Sequence, residues 1–582
     1  MLQSRFSQMI LHKKKEQTAI KFLGNKLSYD WLQHCINRIA KEISMISCPA
    51  KQTAAIVLDR SPEMIAAIMA MLQMKITFVP IDPNFPKERI AWILQDAQVD
   101  FIVSQMKYKP FFAGIPSCFL DRPSTEETID DYSQFAGNPL AYAAYTSGTS
   151  GNPKGVLVTR KGLANFIEGL AKRIHFEGLH RIACFTTVSF DIFFVESIAA
   201  LFYGWEIVLA SEEEKDNPRK MAKLLMEEKV EILQLTPSRL QLLYNYDSQL
   251  ESLKSVKILM VGGETFPDSL LKCVKQKTNA KIYNMYGPTE CTIWATVSEL
   301  TDKEYPDIGK PLPNIGVWVV DDTLRPVPTG QIGELCLSGA CLAAGYHNQE
   351  KRTAQSFCHL PENGMFVYRT GDFVRLLPSG DLEYVGRKDN QIKLHGYRIE
   401  LEEIEHNLQD HPAIERAIAL AEGTEDQKQI VLTYSRIKEK KVRDSELRLW
   451  LKNRIPDYML PARYVEIQDY PFTPNGKVDR KALESLIEKK TAEGHESRAP
   501  ACDHEQEIWD AIQSVRNQSY GRPPAETTLM ELGIDSLSFI RIAVRLEETL
   551  GFEFEDRMLD YRLFETVREL SDYVSNQLKK CT

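Results

Sequence analysis

The stretch AYTSGTSGNPKGV, Ala144 to Val156, sets threonines, serines and glycines around a single lysine, Lys154. Loops of this composition leave backbone N–H groups uncovered and can hold phosphate. The usual phosphate motif does not fit. Counting G-x-x-x-x-G-K-[ST] from Gly148 puts Pro153 at the second glycine and Gly155 where a Mg²⁺-binding hydroxyl belongs. From composition alone the stretch is either a nucleotide loop of another design or a flexible turn. Four further stretches combine glycine or proline with charge: NMYGPTE (284–290), YRTGD (368–372), GRKDNQIKLHGYRIELEEIE (386–405) and PNGKVDR (474–480). Taken singly they read as a Pro-Gly turn, a Gly-Asp hairpin, the start of a charged amphipathic helix and an Asn-Gly turn. Late in the chain, Ser536 opens the amphipathic stretch SLSFIRIAVRLEETLG, where serine is also a favoured helix cap.

These residues need a scaffold of several domains, because 582 residues exceed what one hydrophobic core organises. Charged residues at 26% and hydrophobic residues at 43% give a soluble globular balance. A net charge of −9 without a concentrated basic run argues against nucleic acid as a partner. The HKKK run at 12–15 reads as a solvated face. Eleven scattered cysteines without a C-x-x-C pair point to a reducing compartment and away from zinc or disulfides. The first residues lack the order of a signal peptide, and no apolar run reaches membrane-spanning length, so a cytoplasmic location is expected.

The first two-thirds alternates strand-like and helical runs. TAAIVL precedes PEMIAAIMAMLQM and ITFVPI, and EILQLT precedes SRLQLLYNY. Such βαβ texture predicts an α/β core with a mainly parallel sheet. From about Ile308, VWVVDD, GELCLSG and DLEYVGR predict a smaller antiparallel unit. The expected domains are a core over 1–387, a small α+β subdomain over 388–485, a linker over 486–502 and an all-α bundle over 503–582.

In their order and spacing, the five stretches resemble the adenylate-forming enzymes: acyl-CoA synthetases, luciferases and peptide-synthetase adenylation domains. The resemblance covers residues 10–485. It implies that a substrate carboxylate attacks the α-phosphate of ATP and expels pyrophosphate, a reaction catalysed by positioning and electrostatic stabilisation. Thr146, Ser147, Gly148, Thr149, Ser150, Gly151 and Lys154 would then cradle the departing phosphates. Tyr286 would lie against adenine, Thr289 would bond the α-phosphate, and Glu290 would help hold Mg²⁺, a hard cation suited to carboxylate. Asp372 would accept the ribose hydroxyls with Arg387 nearby. Lys477 would reach the carboxylate and α-phosphate as a compact charge on a long stem. A hinge at Lys388–Asp389 would swing Lys477 out for thioester formation, with Gly396 beside the path of the incoming thiol. Ala344 and His395 depart from the family's usual arginines, a difference assigned to surfaces rather than chemistry.

The segment LGIDSL resembles a peptidyl carrier protein, which implies that Ser536 carries 4′-phosphopantetheine installed by a phosphopantetheinyl transferase. Ile534 stands where glycine is usual. The pairing implies nonribosomal peptide synthetase parts of the kind used in antibiotic biosynthesis, with downstream synthetase or tailoring enzymes accepting the loaded carrier. A loading or stand-alone module is expected. Two rivals are an acyl- or aryl-acid ligase loading a fused carrier, and an inactive docking scaffold. Against the first stands Asp191, in SFDIFFVES, at the position that pairs with an α-ammonium in amino-acid-activating members; a buried ammonium needs such a partner. By the same resemblance the pocket comprises Asp191, Ile192, Val195, Gln234, Met260, Gly262, Met285, Ile293 and Trp294. This set is similar to that of glycine-activating domains.

Overall fold

The computed structural model describes residues 15–581 apart from 47–52, 113, 123–127, 130–131, 133–137, 150, 395, 424–427, 439, 473–477, 494–503, 516–527, 530–531, 533, 535, 560–562 and 565. The chain forms two compact units. The first takes the residues up to Gly148, then Asn152–Leu243 and Gln249–Arg398; the second contains Ile399 onward with two short pieces, Thr149–Gly151 and Tyr244–Ser248.

In the first unit a hairpin of β1 (Thr18–Phe22) and β2 (Asn25–Ser28) leads into the helix Tyr29–Ile46. There follow β3 (Thr53–Val57), β4 (Thr77–Pro80), β5 (Phe101–Ser104), β6 (Ser117–Phe119), β7 (Leu140–Thr146) and β8 (Lys154–Thr159). They form one sheet in the order β6-β5-β3-β4-β7-β8, parallel except for the final β7–β8 hairpin. The helix Pro62–Gln73 between β3 and β4 is buried on every side, as its unbroken apolar run requires. It begins where Ser61 Oγ accepts from the Met64 N–H and proline occupies the first turn.

A second sheet takes β9 (Arg181–Cys184), β10 (Glu206–Leu209), β11 (Ile232–Leu235), β12 (Ile258–Gly262), β13 (Lys281–Tyr286), β14 (Thr296–Glu299) and β15 (Lys310–Pro311). Its order is β15-β14-β13-β12-β11-β9-β10-β1-β2, with the middle parallel. The βαβ texture thus feeds two sheets rather than one, since sequence alternation does not say which edge each strand joins. The predicted antiparallel unit is β16 (Ile315–Val320), β17 (Ile332–Gly339), β18 (Phe357–His359), β19 (Phe366–Leu376) and β20 (Leu382–Arg387), all paired antiparallel. A ribbon of β21 (Ile392–Leu394) and β22 (Tyr397–Ile399) follows.

The second unit holds a three-stranded sheet of β23 (Ile414–Glu422), β24 (Gln429–Arg436) and β25 (Arg463–Glu466). Nearer its end the helices Glu505–Val515, Ser536–Leu550 and Val567–Cys581 close around Ile508, Ile512, Phe539, Leu546 and Leu570. Ile534 is buried in this core, which accounts for an apolar residue where glycine is usual. The helix Arg480–Glu493 runs through the first residues of the linker expected over 486–502, whose remaining residues, 494–502, lie outside the described ones. Glutamate and lysine are good helix formers, and the first glycine is Gly494. Among the described residues no helix is long and apolar enough to cross a membrane.

Candidate active site

The Ser/Thr/Gly loop is the connection of the β7–β8 hairpin, whose last paired residues are Thr146 and Lys154. A Cβ on Gly148 would fall 2.2 Å from the Asn152 carbonyl oxygen, so the tight return needs glycine there. Gly151 takes a left-handed backbone, φ +84. Thr149 is exposed, and Ser150 lies outside the described residues. The Thr146 hydroxyl is buried with no hydrogen-bond partner among the described residues, and Ser147 Oγ donates to the Arg398 carbonyl at 2.7 Å. These are the features of a cradle rather than of a loose turn.

Lys154 leaves the first residue of β8 and is 1% exposed. Its Nζ lies 3.4 Å from Glu290 Oε1 and 4.9 Å from the centre of the Tyr346 ring. Glu290 sits in a single 3₁₀ turn, Thr289–Cys291, and is fully buried. Its carboxylate accepts from the Tyr346 hydroxyl at 2.8 Å and from Arg398 at 2.7 Å. Burial alone would raise its pKa, but Arg398 and Lys154, joined by hydrogen bonds from the backbone and the Tyr346 hydroxyl, outweigh burial and hold the carboxyl well below the usual range. The site therefore keeps one permanent anion among cations. Mg²⁺ takes one or two carboxylates when phosphate oxygens and water supply the rest. Glu290 beside the glycine loop fits a Mg²⁺–nucleotide in that way.

Register explains how the residues expected at the ribose come together. Asp372 on β19 pairs with Arg387 on β20, so both side chains meet. Arg387 Nη1 donates to Asp372 Oδ1 at 2.7 Å, and the Tyr286 hydroxyl donates to Asp372 Oδ2 at 2.5 Å. Each carboxylate oxygen keeps lone pairs for a ribose hydroxyl. Arg387 also grips Asp389 through two bonds, 2.7 and 2.8 Å, across the expected hinge, while Lys388 reaches Asp322 at 2.6 Å. Gly396, φ +84, would carry a Cβ 2.6 Å from Thr236 Cγ2, so a side chain there is excluded. Ala344 is exposed, as a surface assignment requires, and His395 lies outside the described residues.

The sheet gathers the pocket positions. Gln234 on β11 lies beside Met260 on β12, and Gly262 lies beside Met285 on β13. Residues paired in register share a sheet face, so these four line one surface. A Cβ on Gly262 would fall 2.8 Å from Trp294 Cη2 and 2.8 Å from Met285 Cβ. Glycine is what admits the tryptophan. Trp294 is 1% exposed, and Thr292 and Ile293 before it are left-handed, φ +58 and +67, a strained conformation for β-branched residues. Ile192 and Val195 are buried on the segment after β9. Asp191 is buried nearby, and its Oδ2 has no hydrogen-bond partner among the described residues. Burial raises its pKa to about 6, opposed by the Thr289 hydroxyl and reinforced by Glu290. An orphaned carboxylate oxygen fits an ammonium ligand.

Three placements lie outside this description: Lys477 is not among the described residues, Ser150 likewise, and Ser536 is placed only as the first residue of its helix. Tyr346 and Arg398 were passed over in the sequence, although Arg398 stands inside the 386–405 stretch quoted for other residues.

These elements thus gather three buried carboxylates: Glu290 held by Lys154 and Arg398, Asp372 held by Tyr286 and Arg387, and Asp191, whose Oδ2 has no partner among the described residues. The profile of the AMP-binding enzyme family matches residues 8–347, that of the AMP-binding enzyme C-terminal domain 403–477, and that of the phosphopantetheine attachment site 519–574. The chain belongs to the AMP-binding enzyme family, with an adenylation domain and a carrier domain fused in one polypeptide. It is 35% identical to a dimodular nonribosomal peptide synthase of Bacillus subtilis (strain 168) over 92% of this chain and 23% of that protein. It is 34% identical to bacitracin synthase 3 of Bacillus licheniformis over 97% of this chain and 9% of that protein. The chain thus spans under a quarter of each of these relatives. Its fold is similar to a holo nonribosomal peptide synthetase protein of adenylation and carrier domains, with TM-score 0.79, 23% identity, and 98% and 97% of the two chains covered. A four-domain nonribosomal peptide synthetase bound to AMP and glycine matches with TM-score 0.62 and 27% identity, over 99% of this chain and 42% of that one. Adenylation domains of this family use ATP and Mg²⁺, and the attachment domain carries 4′-phosphopantetheine on a serine.

Proposed function

We propose that the chain activates glycine as glycyl-AMP and passes the glycyl group to its own carrier, modified at Ser536, in nonribosomal peptide biosynthesis. The observation that carries the amino-acid reading is the Asp191 Oδ2 atom, buried and without a hydrogen-bond partner among the described residues. A fatty or aryl acid would leave that charge uncompensated; an α-ammonium satisfies it. Glycine follows from volume. Trp294, Met260 and Met285 are all buried at 1% exposure or less and occupy the room a side chain would need. Apolar pockets gain only about 1–3 kcal/mol from an extra methylene, so a roomy pocket would not choose glycine. A filled pocket can, because forcing in a methyl costs about 1–3 kcal/mol.

In this reading one glycine carboxylate oxygen forms the bond to the α-phosphorus as the bridge to the β-phosphate breaks and pyrophosphate leaves. Asp191 holds the ammonium, Tyr286 and Asp372 orient the nucleoside, and Lys154 with the 146–151 loop takes the charge of the leaving phosphates. Thr289 and Lys477 serve the α-phosphate and carboxylate. Mg²⁺, when bound at Glu290, supplies charge neutralisation on the phosphates. The phosphopantetheine arm supplies the accepting thiol. Lys388–Asp389 is the hinge that withdraws Lys477 for the second step. ATP–pyrophosphate exchange with glycine, alanine, serine and leucine tests the assignment. Glycine is expected to be fastest, alanine next because methionine yields, and Trp294→Ala to move preference to larger amino acids. A leucine rate equal to glycine's in the unaltered protein would refute it.

A further inference from the structure

Gln234 ends a largely buried chain of hydrogen bonds through Thr186 and Glu196, two residues to which the family resemblance gives no role. Glu196 is fully buried on a one-turn π-helix, Val195–Ala199, directly after the pocket residue Val195. Such turns recur at functional sites. Its Oε2 accepts the N–H groups of Phe185 and Thr186 at 2.9 and 2.8 Å. Its Oε1 lies 2.6 Å from the Thr186 hydroxyl, and the two N–H groups on Oε2 together with the Arg60 charge favour the ionised carboxylate. Thr186 Oγ1 lies in turn 3.3 Å from the Gln234 amide, with Gln234 itself 1% exposed. Arg60 fixes the same corner, donating to the Thr186 carbonyl at 2.5 Å and the Ala210 carbonyl at 2.6 Å.

Proton counting sets the direction of this chain. A hydroxyl has one proton, and an ionised carboxylate has none to give. The proton between Thr186 and Glu196 must therefore come from Thr186, which leaves Thr186 only acceptor capacity toward Gln234. With Gln234 Oε1 toward Thr186, two acceptors would oppose each other and Nε2 would be left buried without a partner among the described residues. Turning the amide by half a rotation places NH₂ on the Thr186 oxygen, which removes the acceptor–acceptor clash and leaves the carbonyl oxygen at the far position. Amide oxygen and nitrogen have the same shape, so the hydrogen-bond network decides between them.

We infer that Thr186 and Glu196 are positioning residues of the substrate pocket, which turn Gln234 so that its carbonyl oxygen faces the substrate. Burial raises the pKa of Glu196, while the Thr186 hydroxyl and N–H and the Arg60 charge oppose that rise. The pocket then offers two acceptors, Asp191 Oδ2 and Gln234 Oε1. It favours groups that bring N–H donors to this corner, as an ammonium does, and disfavours side chains that would bring only acceptor oxygens there, as a second carboxylate does. This specificity rests on the amino-acid reading above, but the amide orientation does not.

Neutron diffraction from the deuterated, substrate-free full chain reads the orientation directly. Deuterium on the Gln234 atom nearest Thr186 is expected, and deuterium on the atom facing the pocket overturns the inference whatever the substrate. Kinetics supply the second arm. Thr186→Val removes the hydroxyl at constant shape. It is expected to raise KM for glycine about tenfold in pyrophosphate exchange while leaving KM for ATP unchanged, and Thr186→Ser is expected to restore it. Equal changes in both KM values, or no rescue by serine, would reduce Thr186 to a packing role. If glycine is not activated, the same comparison is made with whichever amino acid is.

Discussion

Asp191 carries the amino-acid reading, and its environment makes that reading pH-dependent. Burial lifts its pKa to about 6 from an ordinary 3.8, so the folded protein keeps this proton where the unfolded chain has lost it. A raised carboxyl pKa costs stability above the folded value and regains it as pH falls through the window from 6 to 3.8. Binding runs the other way, because only the ionised form pairs with an ammonium. KM for the amino acid is therefore expected to climb as pH falls below about 6, with KM for ATP flat across that range. Asp191→Asn is expected to remove this limb, to raise the amino-acid KM at least about a hundredfold, and to raise the unfolding temperature at pH 7.5. A variant with unchanged amino-acid KM would remove Asp191 from the substrate.

At the scale of elements, three parallel strands and one glycine shape the pocket. Register puts Gln234 beside Met260 and Gly262 beside Met285, and the missing Cβ at Gly262 lets Trp294 lie against β12. Gly262→Ala is expected to cost about 1–3 kcal/mol of stability by overpacking. It is also expected to lower glycine exchange through displacement of the indole. Denaturant unfolding and exchange on the same variant check both. Strands and helices were legible because their signals are local, apolar runs alternating with helical periodicity and glycine or proline at the junctions, whereas the five motif stretches were legible only in their joint order and spacing. What was not legible depends on register between distant segments. Thr186 and Gln234 stand 48 residues apart, and Glu290 and Arg398 stand 108 apart. Nor does any propensity mark a π turn at 195–199, and the helix through 493 hid in a charged stretch that reads equally well as linker. The pocket residues came from resemblance to a family, and the strained backbone at Thr292 and Ile293 had no signal in the sequence.

At the scale of the whole molecule, the account joins two half-reactions in one chain. Lys477→Ala is expected to slow adenylation far more than transfer from preformed glycyl-adenylate, because the hinge reading withdraws that lysine before the second step. Single-turnover rates of the two half-reactions, compared with the unaltered protein, decide it, and equal losses would count against the hinge. The central claim is that the adenylation domain loads the carrier beside it with glycine. The direct measurement is covalent incorporation of radiolabelled glycine into the phosphopantetheinylated full-length chain, beside pyrophosphate exchange on the same preparation and on Ser536→Ala. The account predicts stable label in the unaltered chain, none in Ser536→Ala, and exchange rates nearly equal in both. Label retained by Ser536→Ala, or unaltered chain that exchanges pyrophosphate with glycine yet takes up no label, would contradict it.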